Sequence, residues 1–450
     1  MKDLSPLVNK TVEFAYRGEK LSFDLSHALF SSFSIDQGTR LLLKEIAHDE
    51  GILKARSILD AGCGTGVIGI SLAACSSEAE VVLKDRDLLA CEFSQRNCWR
   101  NGIAAKRFDH LGAEAPRIEK RAPKHKASGQ RASPVLIAPG LLGLPDPFGP
   151  YEAVVSNLPA KAGPAVLERF VHACASDLLV PGGTLAFVIV NSLAELADAW
   201  TGKSGLLLEK RTQAKSHTVF VLRRPAPEAA EGHSAAGPSV ESIQRSMENA
   251  QGLAKPDLLP YRRTQGTRTC GRYRLPISGF WGLPEFDTNS FATDLAIQSL
   301  EKALAGSLVR DFLCLEPGLG ISTAWMTKIS SPLRIRLRSR DFLALAASES
   351  NAQGRGVEFF AESAFDEPGS IETPAGKVDC ILAFPDDIPG FDGAEALWDL
   401  AQERLKRGGC LVVVDSPTFI ARFLKRKPSG FQRLSEKRSK GYCALALRLA

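Results

Sequence analysis

No run of eighteen apolar residues occurs anywhere in the 450-residue chain, so a membrane-spanning helix is not expected. The opening stretch "MKDLSPLVNKTVEF" lacks an apolar core behind a basic end, and the chain reads as cytosolic, with no secretory leader. Ten cysteines are present, yet none forms a C-x-x-C pair and none clusters with histidine at metal-ligand spacing. That scatter argues against a disulfide framework and against a zinc site, and no metal is expected. A strong excess of one charge is missing too: the formal net charge of +5 does not by itself argue for a nucleic-acid partner. What remains is ordinary globular composition, 44% hydrophobic and 24% charged. At roughly 100–200 residues per domain, the length implies two or three domains.

From Arg223 to Pro256 the sequence becomes rich in Ala, Pro, Glu, Ser and Gly and nearly free of aromatics, the composition of a linker. It divides the chain into a first domain, 1–224, a linker, 225–256, and a second domain, 257–450. The halves repeat each other. "SILDAGCGTGVIGISLAAC" faces "FLCLEPGLGISTAW", and "KDRDLLACEFSQRNC" faces "RSRDFLALAASESNA". "LLVPGGTLAFVIV" faces "RLKRGGCLVVVD", and "LLLEKRTQAKSHTVFVLRR" faces "FQRLSEKRSKGYCALALRL". Four matches in one order argue for a tandem duplication. Within the first half, strands are expected near Ser57–Ala61, Glu80–Lys84, Lys106–His110, Ala153–Ser156 and Thr184–Val190, with helices between them. Such alternation implies an α/β fold with a mostly parallel sheet, its ligand beyond the carboxyl ends of the strands. Residues Leu207–Arg223 read as an antiparallel hairpin at one edge.

Gly64-Thr65-Gly66-Val67-Ile68-Gly69 satisfies G-x-G-x-x-G, and Asp85 lies about twenty residues on, as a dinucleotide site would require. Asp60 at the strand end makes a different signature, D-x-G-x-G-x-G, which resembles the nucleotide-binding turn of S-adenosylmethionine methyltransferases. Gly62 and Gly64 would let the backbone approach that ligand, and Asp60 would face its cationic amino group. Asp85, ending the second strand, suits two ribose hydroxyls, while Asp87 suits a helix cap. Asp109, ending the third expected strand, stands where a contact to the adenine amino group occurs in such folds.

"YEAVVSNLPAKAG" places Ser156-Asn157-Leu158-Pro159 after the fourth strand. Together with "FSSFSIDQGTRLLLKEI", whose Asp36, Gly38 and Thr39 fall in signature places, it resembles the small-domain methyltransferases, in particular the tandem-domain ribosomal RNA guanine-N2 enzymes. The resemblance covers most of Thr11–Arg223 and extends weakly into the second half. It implies two tandem Rossmann-like methyltransferase domains, S-adenosylmethionine as cofactor, RNA as partner and a monomer. Cofactor binding would then fall to Asp60, Gly62, Gly64, Gly66, Asp85, Asp109, Asp36 and Thr39. Catalysis would fall to Asn157, Leu158 and Pro159, with the Asn157 side-chain oxygen and the Leu158 carbonyl accepting the two N–H groups of an exocyclic amine. Ala160 departs from the motif: it stands where the family has an aromatic that stacks on a flipped base. Either Phe33 or Phe30 serves instead, or the acceptor is not a base. A protein glutamine amide, with the same NH2 geometry, and a non-catalytic RNA-binding module are the alternatives.

In the second half Glu316, Gly318, Gly320 and Ser322 line up with Asp60, Gly62, Gly64 and Gly66, while Ser339 faces Asp85 and Phe384 faces Asn157. This half is expected to keep the fold without the chemistry. The guanine-N2 enzymes also pair an active with a degenerate domain, in the opposite order. Arg334, Arg336, Arg338 and Arg340 recur at strand period and are expected to form one cationic face for phosphate, joined by Lys425, Arg426, Lys427, Lys437, Arg438 and Lys440. Glu114–Pro134 reads as a basic loop, either folding against RNA or idle.

Overall fold

A computed structural model of the chain describes residues 4–30, 32–108, 134–226, 256–331, 333–354, 357–363, 376–385, 388 and 391–450. The chain divides into two compact units between Pro260 and Tyr261. The expected linker and the basic loop lie almost wholly outside the described residues, as do Asp109 and His110.

The first unit opens with a hairpin, β1 (Val8–Tyr16) and β2 (Glu19–Ser26), followed by helix α1 (Gln37–Ile46) and the short α2 (Glu50–Leu53). Strands and helices then alternate: β3 (Ser57–Ala61), α3 (Val67–Cys75), β4 (Glu80–Asp85), α4 (Leu88–Arg100), β5 (Ala105–Arg107), β6 (Val135–Pro139), β7 (Tyr151–Asn157), α5 (Pro164–Ala173), β8 (Leu179–Val190) and α6 (Ala194–Ser204). The antiparallel pair β9 (Leu207–Gln213) and β10 (His217–Arg223) closes the unit. The eight strands are ordered β5-β6-β4-β3-β7-β8-β10-β9, with all but the last two parallel. Because successive side chains on a strand face opposite ways, Ile58, Val81 and Leu83 enter one core with α1 and α3. Leu59, Ala61 and Val82 enter the other, with α5. Covered on both faces, β3 is buried along its whole length.

Two strands correct the sequence reading. The described part of the third expected strand, Lys106–His110, is β5, which sits at the sheet edge. Its interior place beside β4 belongs to β6, which was not expected and pairs Leu83 with Ile137 and Asp85 with Pro139. Side-chain chemistry explains the exchange: all five β6 residues are buried, whereas Lys106 and Arg107 are half-buried, Arg107 reaching Glu92 at 3.1 Å. The Gly182-Gly183 pair forms a bulge inside β8, where the pairing slips between Tyr151–Leu179 and Ala153–Thr184.

The second unit repeats the plan with a hairpin, β11 (Arg262–Cys270) and β12 (Tyr273–Phe280), and seven strands. These are β13 (Asp311–Leu315), β14 (Leu333–Ser339), β15 (Val357–Ser363), β16 (Val378–Ala383), β17 (Leu405–Asp415), β18 (Phe431–Ser439) and β19 (Tyr442–Leu449). The order β4-β3-β7-β8-β10-β9 returns as β14-β13-β16-β17-β19-β18. Single hydrogen bonds repeat as well. Asn97 Nδ2 donates to the carbonyls of Asp24 and Thr65, and Asn351 Nδ2 donates to those of Ser278 and Leu319. In each unit one helical asparagine thus ties the leading hairpin to the glycine turn. Asn97 and Asn101 both work as hairpin anchors, Asn101 by exchanging bonds with Ser22.

The four arginines of β14 and its end do not share one open face: Arg334 is exposed, Arg336 is buried, and Arg338 and Arg340 are half-buried. Arg334 is paired with Asp311, Nε to Oδ1 at 2.7 Å, and Arg336 is only 8% exposed. Arg334 stands in register with Asp311 on one side and Glu358 on the other, so acids flank it on the sheet. Lys425, Lys427, Lys437 and Lys440 are solvent-exposed, while Arg426 pairs with Asp392 and Arg438 with Glu436.

Candidate cofactor and transfer site

The glycine turn lies over the tip of β4, where the N–H groups of Gly62 and Cys63 both donate to the Lys84 carbonyl, at 2.8 and 3.0 Å. Gly62, Gly64 and Gly66 all have positive φ, +74, +56 and +83°, where only glycine is unstrained. Their surroundings differ. A Cβ on Gly62 or Gly64 would meet nothing within 4 Å, so the protein leaves open space beside both. A Cβ on Gly66 would come 2.7 Å from Ile70 and 3.0 Å from Ser94 Oγ. Gly62 and Gly64 therefore border a cradle, and Gly66 starts α3 under tight packing.

Asp60 is fully buried, with Oδ2 accepting from Gly69 N–H at 2.8 Å inside the first turn of α3. Its Oδ1 has no partner. Burial pushes the Asp60 carboxyl up to about 7, against the opposing pull of the Gly69 N–H, and nearby Asp85 adds to the rise. Asp85 Oδ2 accepts from Gly64 N–H and Oδ1 from Asp87 N–H, both at 2.8 Å, and burial raises its carboxyl as well. Asp87 caps α4 through Leu89 N–H, as expected. A cation set beside Asp60 Oδ1 would meet an unpaired acceptor, and a ligand with a polar sugar would find the half-buried Asp85 at the same rim. These features fit the expected cofactor. Ser94, which the sequence reading passed over, donates to the Gly64 carbonyl at 3.0 Å. Its signal was present: Ser348 occupies the matching place in the second half and donates to the Gly318 carbonyl.

At the end of β7, Asn157 Nδ2 donates to Asp36 Oδ2 at 2.9 Å and to Thr39 Oγ1 at 3.0 Å. Asp36 is also the N-cap of α1, accepting from the N–H groups of Gly38 and Thr39. Because a carboxylate only accepts, the amide nitrogen of Asn157 must face it, and Oδ1 is turned away from this clamp. Asp36 and Thr39, expected to touch cofactor, are therefore joined to Asn157. Leu158 is buried and held by its N–H to the Val188 carbonyl at 3.0 Å, while Pro159 and Ala160 are exposed. Ser156 Oγ ties the β7 tip to the Ala61 carbonyl at 2.6 Å, locking the asparagine-bearing strand to the glycine-bearing one. Among the described residues, no group of three or more metal-ligating side chains is assembled, and no helix is long and apolar enough to cross a membrane.

The structure resets the alignment of the second half by two residues. Gly320, at φ +74°, heads its helix as Gly66 heads α3, and Ser348 bonds Gly318 as Ser94 bonds Gly64. Glu316 consequently matches Gly62, and Cys314 matches Asp60. The Glu316 carboxylate accepts from Ser339 Oγ at 2.6 Å and from Arg340 N–H at 3.2 Å. Where the first unit leaves room beside a glycine, the second carries a glutamate side chain. The pairings of β13 with β16 and of β3 with β7 keep Phe384 opposite Asn157.

Each unit has the Rossmann-like methyltransferase fold. Over 99% of both chains, the protein superposes with a TM-score of 0.57 and 16% identity on the T. thermophilus 16S rRNA N2 methyltransferase RsmC, solved with AdoMet and guanosine. Residues 20–117 match the model of the methyltransferase small domain. The ribosomal RNA small subunit methyltransferase C of Hahella chejuensis is 29% identical over 197 residues, covering 42% of this chain and 47% of that protein. The ribosomal RNA large subunit methyltransferase G of Vibrio vulnificus is 30% identical over 105 residues, covering 23% and 26%. The chain thus spans less than half the length of these curated relatives.

Proposed function

We propose that the first unit is an S-adenosylmethionine-dependent N-methyltransferase that modifies an exocyclic amino group, guanine N2, in ribosomal or other structured RNA. The orientation of Asn157 supports this most directly: its nitrogen is clamped by Asp36 and Thr39, which leaves Oδ1 as an acceptor. An exocyclic amine is a poor nucleophile because its lone pair is delocalised into the ring. Accepting its two N–H groups, one at Asn157 Oδ1 and one at the Leu158 carbonyl, aims that lone pair and stabilises the positive charge that develops on nitrogen. S-adenosylmethionine, when bound, supplies an electrophilic methyl group on a sulfonium. Asp60 would neutralise its ammonium, Asp85 would hold its ribose, and Gly62 and Gly64 would border it. Catalysis is then positioning and electrostatics, with the surplus proton on nitrogen passing to water.

The second unit, with Cys314, Glu316, Ser339 and Phe384 in the four decisive places, is read as a methyltransferase-like domain without transfer chemistry. Incubating the protein with methyl-labelled S-adenosylmethionine and ribosomal RNA or ribosomal protein tests the reading. Label removed by nuclease and abolished by Asn157→Ala, at unchanged S-adenosylmethionine affinity, is the expected outcome. Unchanged turnover in Asn157→Ala would overturn the transfer site. Label in protein would point to a glutamine amide, a reading favoured by one observation, the exposed Ala160 where an aromatic would stack.

A further inference from the structure

Gly38, the second residue of α1, does not have a positive φ, so its backbone does not require glycine. Its surroundings do. A Cβ there would stand 2.8 Å from Asp36 Oδ2, 3.0 Å from His217 Cδ2 and 3.2 Å from His217 Nε2. The missing side chain lets an imidazole settle against the cap of α1, with Nε2 no more than about 6 Å from the carboxylate oxygen that holds Asn157. His217 opens β10 at the end of the sheet where β7 closes on Asn157: β8 pairs with the one at Val190 and with the other at Val188. The far side of the ring is fixed as well. Ser216 Oγ lies 2.8 Å from His217 Nδ1 and donates to Gln37 Oε1 at 3.3 Å. A hydroxyl has one proton to give, so Ser216 accepts from Nδ1–H, and Nε2 is the atom that gains a proton when the ring becomes charged. Around the half-buried ring, Asp36 is the charged group on the α1 side and the exposed Lys215 the one in its own turn. Val190 and Asn191 at the end of β8, Gln213 and Ala214 at the end of β9, and Gln37 carry no charge.

Resting on the function proposed above, we infer that His217 is a positioning residue for methyl transfer and that its neutral form is the working one. Asp36 holds Asn157 Nδ2, and its negative charge polarises that amide so that Oδ1 accepts more strongly. It also offsets the positive charge that develops on the acceptor nitrogen as the methyl group arrives. A proton on Nε2 sets a cation beside Asp36, cancels that charge and draws the carboxylate away from Asn157. No proton passes between His217 and the substrate; the ring acts through Asp36.

The test measures kcat at saturating S-adenosylmethionine and deproteinised bacterial ribosomal RNA, from about pH 8 down to about 5.5, in wild type, His217→Gln and His217→Asn. Saturation with cofactor separates this titration from that of Asp60, which acts on cofactor affinity. Wild-type kcat is expected to fall about 3- to 10-fold over that range, while the two variants, always uncharged here, stay within about twofold of the wild-type rate at pH 8 throughout. Their S-adenosylmethionine affinity at pH 8 should equal that of the wild type. A wild-type kcat that is flat with pH, or an acid decline retained in both variants, would overturn the inference. So would a kcat lowered equally at every pH in both variants, which would make the ring a packing element. If Asn157→Ala abolishes RNA methylation while the His217 variants keep the wild-type pH profile, the assignment of His217 fails and the function stands. If the wild type labels no RNA, both fail.

Discussion

Two carboxylates in the first unit hold protons more tightly than their type usually does, and one of them has a measurable consequence. Asp60, pushed up to about 7 by burial, prefers its protonated form in the fold. That preference stabilises the fold below about pH 4 and is lost as pH rises through about 7. A cationic ligand needs the ionised form. S-adenosylmethionine affinity is therefore expected to fall by up to about tenfold per unit below pH 7 in calorimetric titrations, and to become nearly flat with pH in Asp60→Asn. The same variant keeps an acceptor for Gly69 N–H and removes a buried charge, so it should melt about 2–6 °C higher than wild type at pH 8 and close to it at pH 5. Thr39 makes a separate case. Removing its hydroxyl in Thr39→Ala loosens Asn157, and kcat should drop about 3- to 30-fold with S-adenosylmethionine affinity unchanged, Thr39→Ser restoring it. A matched loss of cofactor affinity would instead return Thr39 to the cofactor set.

Among elements, the strand–turn–helix of β3 and α3 separates two kinds of glycine. A Cβ on Gly69 would stand 2.1 Å from Leu83 Cδ2, so Gly69→Ala must displace either the buried Leu83 side chain or α3 and is expected to cost about 1–3 kcal/mol in denaturant melts. Gly64→Ala meets only open space and pays backbone strain of about 1 kcal/mol, so its larger effect should appear in cofactor affinity. Much of this element plan was legible. The largely apolar β3, the continuous apolar run of β10 and the tandem repeat follow from pattern, because each is written in a local stretch of sequence. The β6 strand was hidden because "VLIAP" abuts a Pro- and Gly-rich stretch and follows a long basic insertion, so no local period marked it. The two-residue slip in the second half has a similar origin. Glycines recur every second residue in both turns, and Glu316 invites alignment with Asp60 by charge, whereas the left-handed start of each helix decides the register through backbone geometry. Nor could the Asp36–Asn157 clamp be read from residues 121 apart in the chain, since only tertiary packing brings them together.

For the whole molecule, two units with separate cores predict calorimetric unfolding in two transitions. S-adenosylhomocysteine should raise only one of them, and Gly69→Ala should lower that same one. A shift of both on adding ligand would assign a binding site to the second unit. The Glu316 bonds give the reason to expect otherwise. In the first unit a strand-end acid, Asp85, accepts from the glycine turn, whereas in the second an acid in the turn accepts from the strand end. Donor and acceptor have traded sides, and the stitch between the two strand tips survives the trade. In the second unit a side chain of the chain itself thus fills the place that the first unit leaves open beside Gly62.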